Sequence, residues 1–176
     1  MRKLARVLVL IVMLALYLIV SETTMALDKN LLLNPGIEMA NPSSPDKPGN
    51  WRWWKSVGDE YIADFEWSDC IARSGKRSLR IGAVSKGGSA IWQSDSVKVV
   101  PGMAYRASVY VKVQGARVGE VITLAINWRD SFNNRIGSIE TIIITEGYMD
   151  WTLVTVEGIA PENCAQAGVQ DRKSVV

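Results

Sequence analysis

Beyond residue 60 the apolar positions recur every second residue, the period of a half-buried strand rather than of a helix. Tyr61, Ala63, Phe65 and Trp67 share one parity, with Asp64 and Glu66 on the other. Ser78 to Ile81 alternates, as do Val97, Lys98 and Val99. Tyr105, Ala107, Val109, Val111 and Val113 fall on one face, against Arg106, Ser108, Tyr110 and Lys112. Ile122, Leu124, Ile126 and Trp128 oppose Val121, Thr123, Ala125, Asn127 and Arg129. Residues 136–145 and 151–157 predict two further strands, and 165–169 begins a last one that the polar run 170–174 is expected to stop. Turn signals separate these runs: Ser74-Gly75, Gly87-Gly88, Pro101-Gly102, Asn133-Asn134, Gly147 and Pro161. No eleven-residue window carries a helical stripe. Many short strands at this spacing predict an all-β sandwich or barrel, and one apolar face per strand favours two layers.

The stretch before residue 50 is different. Asn34-Pro35-Gly36 marks a turn, and Pro42, Pro45 and Pro48 predict irregular chain; Leu31 to Leu33 read as a short edge strand or a plug. Residues 7–20 are fourteen consecutive apolar residues behind Arg2, Lys3 and Arg6, and a small residue, Ala26, follows at a fitting cut site. That is the layout of a secretory signal, and it is short of the roughly 20 residues that span a bilayer. The expected destination is outside the cytoplasm, with membrane attachment only if the leader stays uncut.

Charge changes once the leader is set aside. The whole chain has 20 basic and 18 acidic residues, and residues 27–176 have 17 of each. A neutral domain of 150 residues is one folding unit without the positive field that a nucleic-acid partner requires. The chain has no His, which excludes Ser-His-Asp and Cys-His catalysis and His-ligated metals. Cys70 and Cys164 either pair across a long loop in an oxidising compartment or stay as two free thiols.

Five blocks then carry a resemblance: residues 30–38 (NLLLNPGIE), 72–81 (ARSGKRSLRI), 97–111 (VKVVPGMAYRASVYV), Asn127-Trp128-Arg129-Asp130 with Ile136-Gly137, and 151–161 (WTLVTVEGIAP). In order and spacing, over about residues 30–169, the chain resembles carbohydrate-binding modules of the family 4, 9 and 22 type, which accompany cellulases and xylanases. The resemblance implies a two-sheet jelly roll like galactose-binding domains, non-catalytic binding of a polysaccharide such as β-glucan or xylan, and a linked glycoside hydrolase as partner. It also implies a structural calcium held by Glu38 and the backbone carbonyl of Lys76. The aspartate that completes this site in the family lies in an Asp-Asp-Val-like run that this chain lacks, and a closing strand is expected to be missing with it.

Sugar recognition needs flat aromatic faces and planar hydrogen-bonding groups. Trp51, Trp128 and Trp151 read as core. Trp53 and Trp54 point in opposite directions if extended, so at least one is exposed. Trp92 is placed to reach a loop rim, and Tyr110 with Arg106, and Asn127 with Arg129, are expected to line one cleft across one sheet. No carboxylate pair stands out as catalytic: Asp64 and Glu66 share a strand face, and a solvated face explains them. Two other readings stay open: a structural or protein-interaction sandwich of an envelope protein, and a piece of a larger glycoside hydrolase.

Overall fold

A computed structural model describes residues 29–175, Asp59 and Thr145 excepted; the expected leader lies outside the described residues. The unit from Leu32 onward is all-β, with twelve strands and no helix among the described residues. These are β1 (Ala40–Asn41), β2 (Ser44–Pro48), β3 (Trp51–Lys55), β4 (Ala63–Ser68), β5 (Ser78–Val84), β6 (Ser89–Ser94), β7 (Val97–Lys98), β8 (Ala104–Ala116), β9 (Glu120–Arg129), β10 (Arg135–Ile144), β11 (Gly147–Ile159) and β12 (Gln166–Val175).

One layer is an open sheet ordered β10-β9-β12-β6-β3, with β7 pairing the start of β12. Two antiparallel ribbons, β8–β11 and β4–β5, form the facing layer. The alternation on β8 and β9 is the reason the layers close. Leu124, Ile126 and Trp128 of β9 meet Ala107 of β8 and Val156 of β11 in one buried cluster, which Val99, Cys164 and Ala167 complete. The opposite parities of both strands therefore face outward, away from each other.

Three expectations change. The run 170–174 does not end the last strand. β12 continues to Val175 and lies between β9 and β6, paired along ten consecutive residues with β9. A central strand tolerates such a polar sequence because alternate positions are used differently. Gln170 and Arg172 point out, while Asp171 and Lys173 share the inward face with Trp92 and Leu124. Second, Leu32 and Leu33 form no strand. The plug in this segment is Asn34, 2% exposed. Its amide donates to the carbonyls of Met39 (3.0 Å) and Gly49 (2.8 Å), and its Oδ1 accepts the Met39 N–H (3.3 Å). Third, the proline-rich stretch forms the small β1–β2 hairpin.

Candidate functional site

The cleft expected from Arg106, Tyr110, Asn127 and Arg129 does not exist as one surface. Arg106 and Tyr110 lie on the outside of the β8–β11 ribbon, whereas Asn127 and Arg129 lie on the outside of the six-stranded sheet. The whole thickness of the sandwich separates them. Tyr110 is also capped, with the Arg73 guanidinium 3.4 Å above its ring, and Arg106 is ion-paired with Glu157 at 2.5 Å.

The indoles sort by register. Trp53 pairs with Trp92 on the inward face, and Trp54 pairs with Ile91 on the outward one. Trp92 is 2% exposed, set edge-on to Phe65, with its ring N–H donating to the Arg80 carbonyl at 3.0 Å. It is core, not loop rim. Its strand escaped the sequence reading because β6 buries Ala90, Ile91 and Trp92 in succession and so shows no alternation. Trp53 stacks on Phe65 with centroids 5.1 Å apart and remains half exposed at the open edge.

What survives is an outward groove across the six-stranded sheet, about 220 Å³, lined by Trp54, Ile91, Gln93, Asn127, Arg129, Arg135 and Gln170. Five strands contribute: β3 at one edge supplies Trp54 and β10 at the other supplies Arg135, with the register Arg135–Arg129 closing that end. Trp54 is 49% exposed, whereas Asn127 is 2% exposed, as is Thr123 further along the same outward row of β9. The Asn127 amide donates to Gln170 Oε1 at 2.5 Å. Asn127 Oδ1, Arg129 Nε and Thr123 Oγ1 are buried without a hydrogen-bond partner among the described residues. All three lie on the outward row of β9, where unmet buried groups are costly unless something else satisfies them. Gln93, Gln170 and Arg135 were missed in the sequence. Drawing the β9–β10 hairpin from Asn133-Asn134 would have placed Arg135 opposite Arg129, but Gln170 was hidden by the assumed end of β12.

Glu38 and Lys76 lie side by side in the fold. Glu38 Oε1 accepts the backbone N–H of Lys76 (2.9 Å) and of Arg77 (3.1 Å), so the loop presents amide donors to the carboxylate. Among the described residues no three His, Cys, Asp or Glu side chains are grouped to hold a metal. A broader depression of about 510 Å³ sits beside this loop over Asp69, Ala72, Gly75, Lys76 and Arg77, with no aromatic ring in its lining. Asp64 and Glu66 both bind the Arg80 guanidinium, at 3.1 and 2.9 Å. Cys70 and Cys164 are free thiols: Cys164 is buried in the core cluster and Cys70 is exposed, so the alternative of a bridge gives way to that of two thiols.

No protein-family model and no curated protein matches this sequence. Solved structures do match. The enzymatically active domain of tailspike protein 4 from bacteriophage CBA120 aligns with a TM-score of 0.59 at 14% identity, over 84% of this chain and 19% of that one. A structure described for the promiscuous specificity of carbohydrate-binding modules of the β-sandwich superfamily aligns at 0.52 and 16% identity, over 74% of this chain and 52% of that one. The module TmCBM61 in complex with β-1,4-galactotriose gives 0.46 at 16% identity, over 84% and 90%, and at that score carries no weight. The chain thus spans about a fifth of the tailspike chain and about half of the second. At these identities the likeness defines the fold: an open two-sheet β-sandwich of the jelly-roll kind found in carbohydrate-binding modules.

Proposed function

We propose that this chain is a non-catalytic module that binds polysaccharide in the outward groove of its six-stranded sheet. One observation carries the reading: a half-exposed indole, Trp54, lines one groove with buried planar groups of unmet hydrogen-bonding capacity, Asn127 Oδ1 and Arg129 Nε. The indole offers a flat face to the C–H side of a sugar ring. The amides of Gln93, Asn127 and Gln170 offer directed bonds to hydroxyls. The fold shared with sugar-binding modules and a phage tailspike domain supports the same direction, as does a leader suited to export. A linked glycoside hydrolase and a β-glucan or xylan ligand belong to the proposal as well, through the family resemblance.

Affinity electrophoresis of the protein in gels containing xylan, mixed-linkage β-glucan, mannan or no polymer tests it. Retardation in a polymer gel, lost in Trp54→Ala and kept in Tyr110→Ala, is the expected result. Retardation lost in Tyr110→Ala and kept in Trp54→Ala moves the site to the opposite face, and a folded protein retarded by no polymer removes the reading. Calcium at Glu38 and the Lys76 carbonyl is tested in parallel lanes with calcium or a chelator, together with melting curves under both conditions.

A further inference from the structure

The arginines of the outward face fall into two kinds. Arg52 is paired with Asp95 at 2.6 Å and Arg172 with Glu140 at 3.0 Å. Arg129 and Arg135, which line the groove, have no carboxylate partner among the described residues, although they stand directly opposite each other on β9 and β10. Like charges in that position repel. Each guanidinium has one protein acceptor: Arg129 donates to the Asn133 carbonyl (2.8 Å) and Arg135 to Ser138 Oγ (2.7 Å). A guanidinium carries five N–H donors, so most remain available, and Arg129 Nε is buried without a partner. The adjacent carboxylate, Asp130, is turned into the hairpin loop. It accepts the N–H groups of Phe132 and Asn134 and the Asn134 side-chain amide.

The groove is therefore polarised. Trp54 and Ile91 make an apolar end on β3 and β6, planar amides occupy the middle, and two uncompensated cations close the far end on β9 and β10. Four strand spacings separate β3 from β10, about 19 Å at the usual interstrand distance, which is room for more than one sugar ring. Planar guanidinium forks suit planar carboxylates.

We propose that the polysaccharide bound here is acidic, with a sugar carboxylate held between Arg129 and Arg135 while a ring further along the same chain stacks on Trp54. This rests on the groove being the sugar site. It goes further in naming the ligand's chemical class. The local pair selects the carboxylate, since residues 27–176 have no net charge to attract polyanions at large.

The test is titration of the intact protein with glucuronoxylan and with polygalacturonate, each as the parent polymer and after reduction of its carboxyl groups to alcohols. The parent should bind about tenfold or more tightly than its reduced form, the scale of one charge-assisted hydrogen bond. Arg135→Gln and Arg129→Gln, checked for folding by melting, should each bring the ratio of parent to reduced-polymer affinity to about one, whatever either does to binding of the reduced polymer itself. Arg106→Gln, on the opposite face, should alter neither. Trp54→Ala should weaken both forms equally. Equal, Trp54-dependent binding of parent and reduced polymers overturns the carboxylate alone. Tighter binding of a sulfated galactan than of polygalacturonate overturns it too. No binding of any polymer by the folded protein removes both this inference and the sugar site beneath it.

Discussion

Asp171 sits on the inward face of the central strand β12, opposite Trp92 and Leu124, which are 2% and 1% exposed. Its Oδ1 is buried without a hydrogen-bond partner among the described residues. Lys173, the next residue on that face, spends its ammonium on Glu120 and the Gly82 carbonyl. Burial pushes the Asp171 carboxyl up to about 6, only partly opposed by the backbone N–H of Arg172. The folded state thus holds this proton more tightly than the unfolded chain does. Stability from the group is full below about pH 4 and is lost as pH rises towards 6. The shift from 3.8 to about 6 corresponds to at most about 3 kcal/mol. The residue as a whole is only partly buried, which makes this the upper end. Between pH 4.5 and 7.5 the loss should be about 2 kcal/mol, because the unfolded carboxyl is already largely ionised at 4.5. Asp171→Asn removes the titration. Urea unfolding at both pH values should show wild type losing about 2 kcal/mol at the higher pH relative to the variant. The exposed Asp130 and Asp150 carboxyls are held below their ordinary value, mainly by hydrogen bonds from Asn134 and Lys112 respectively. They act only below about pH 4, with the opposite sign. Equal pH dependence in wild type and Asp171→Asn would refute the burial of this charge.

Other substitutions test the packing. Trp92→Ala should destabilise the fold by about 3–5 kcal/mol, as expected for a buried indole, while Trp54→Ala costs about 1 kcal/mol or less; similar losses in urea melts would contradict the assigned faces. Asn34→Ala, which takes this partner from the Gly49 carbonyl and the Met39 N–H while the Met39 carbonyl keeps the Gly49 N–H, should cost about 1–3 kcal/mol in the same assay, and an unchanged midpoint would deny the plug its role. A thiol reagent should modify Cys70 in the native protein and reach Cys164 only after unfolding, with no change in melting on adding reductant. Thiols absent from the unreduced, unfolded protein would show that the two are bridged.

The period-two pattern made the fold legible wherever a strand had one wet face. β4, β5, β8, β10 and β11 follow it because outward residues of theirs meet solvent, and the alternation of β9 is legible from Thr123, Asn127 and Arg129 between its apolar residues although most of both its faces is buried. It failed for β6, buried on both sides, and for the end of β12, where Asp171 and Lys173 occupy inward positions that a polar sequence does not suggest. The site was half legible for the same reason. Trp54, Asn127 and Arg129 could be read as surface residues from their parity, but parity gives a face of one strand and not of the molecule. Tyr110 and Arg106 were joined to Asn127 and Arg129 because both sets oppose apolar stripes. Those stripes face each other across one core, which puts the two polar sets on opposite outsides.

The central claim is that the outward groove of the six-stranded sheet holds saccharide. Mapping backbone amide shifts on adding an oligomer cut from the polymer that retards the protein tests it most directly. Shifts should concentrate at Arg52 to Trp54, Ile91 to Gln93, Thr123 to Arg129, Arg135, and Gln170 to Arg172, and leave Arg106 to Lys112 unmoved. Shifts confined to Arg106, Tyr110 and their neighbours on β11 would contradict it.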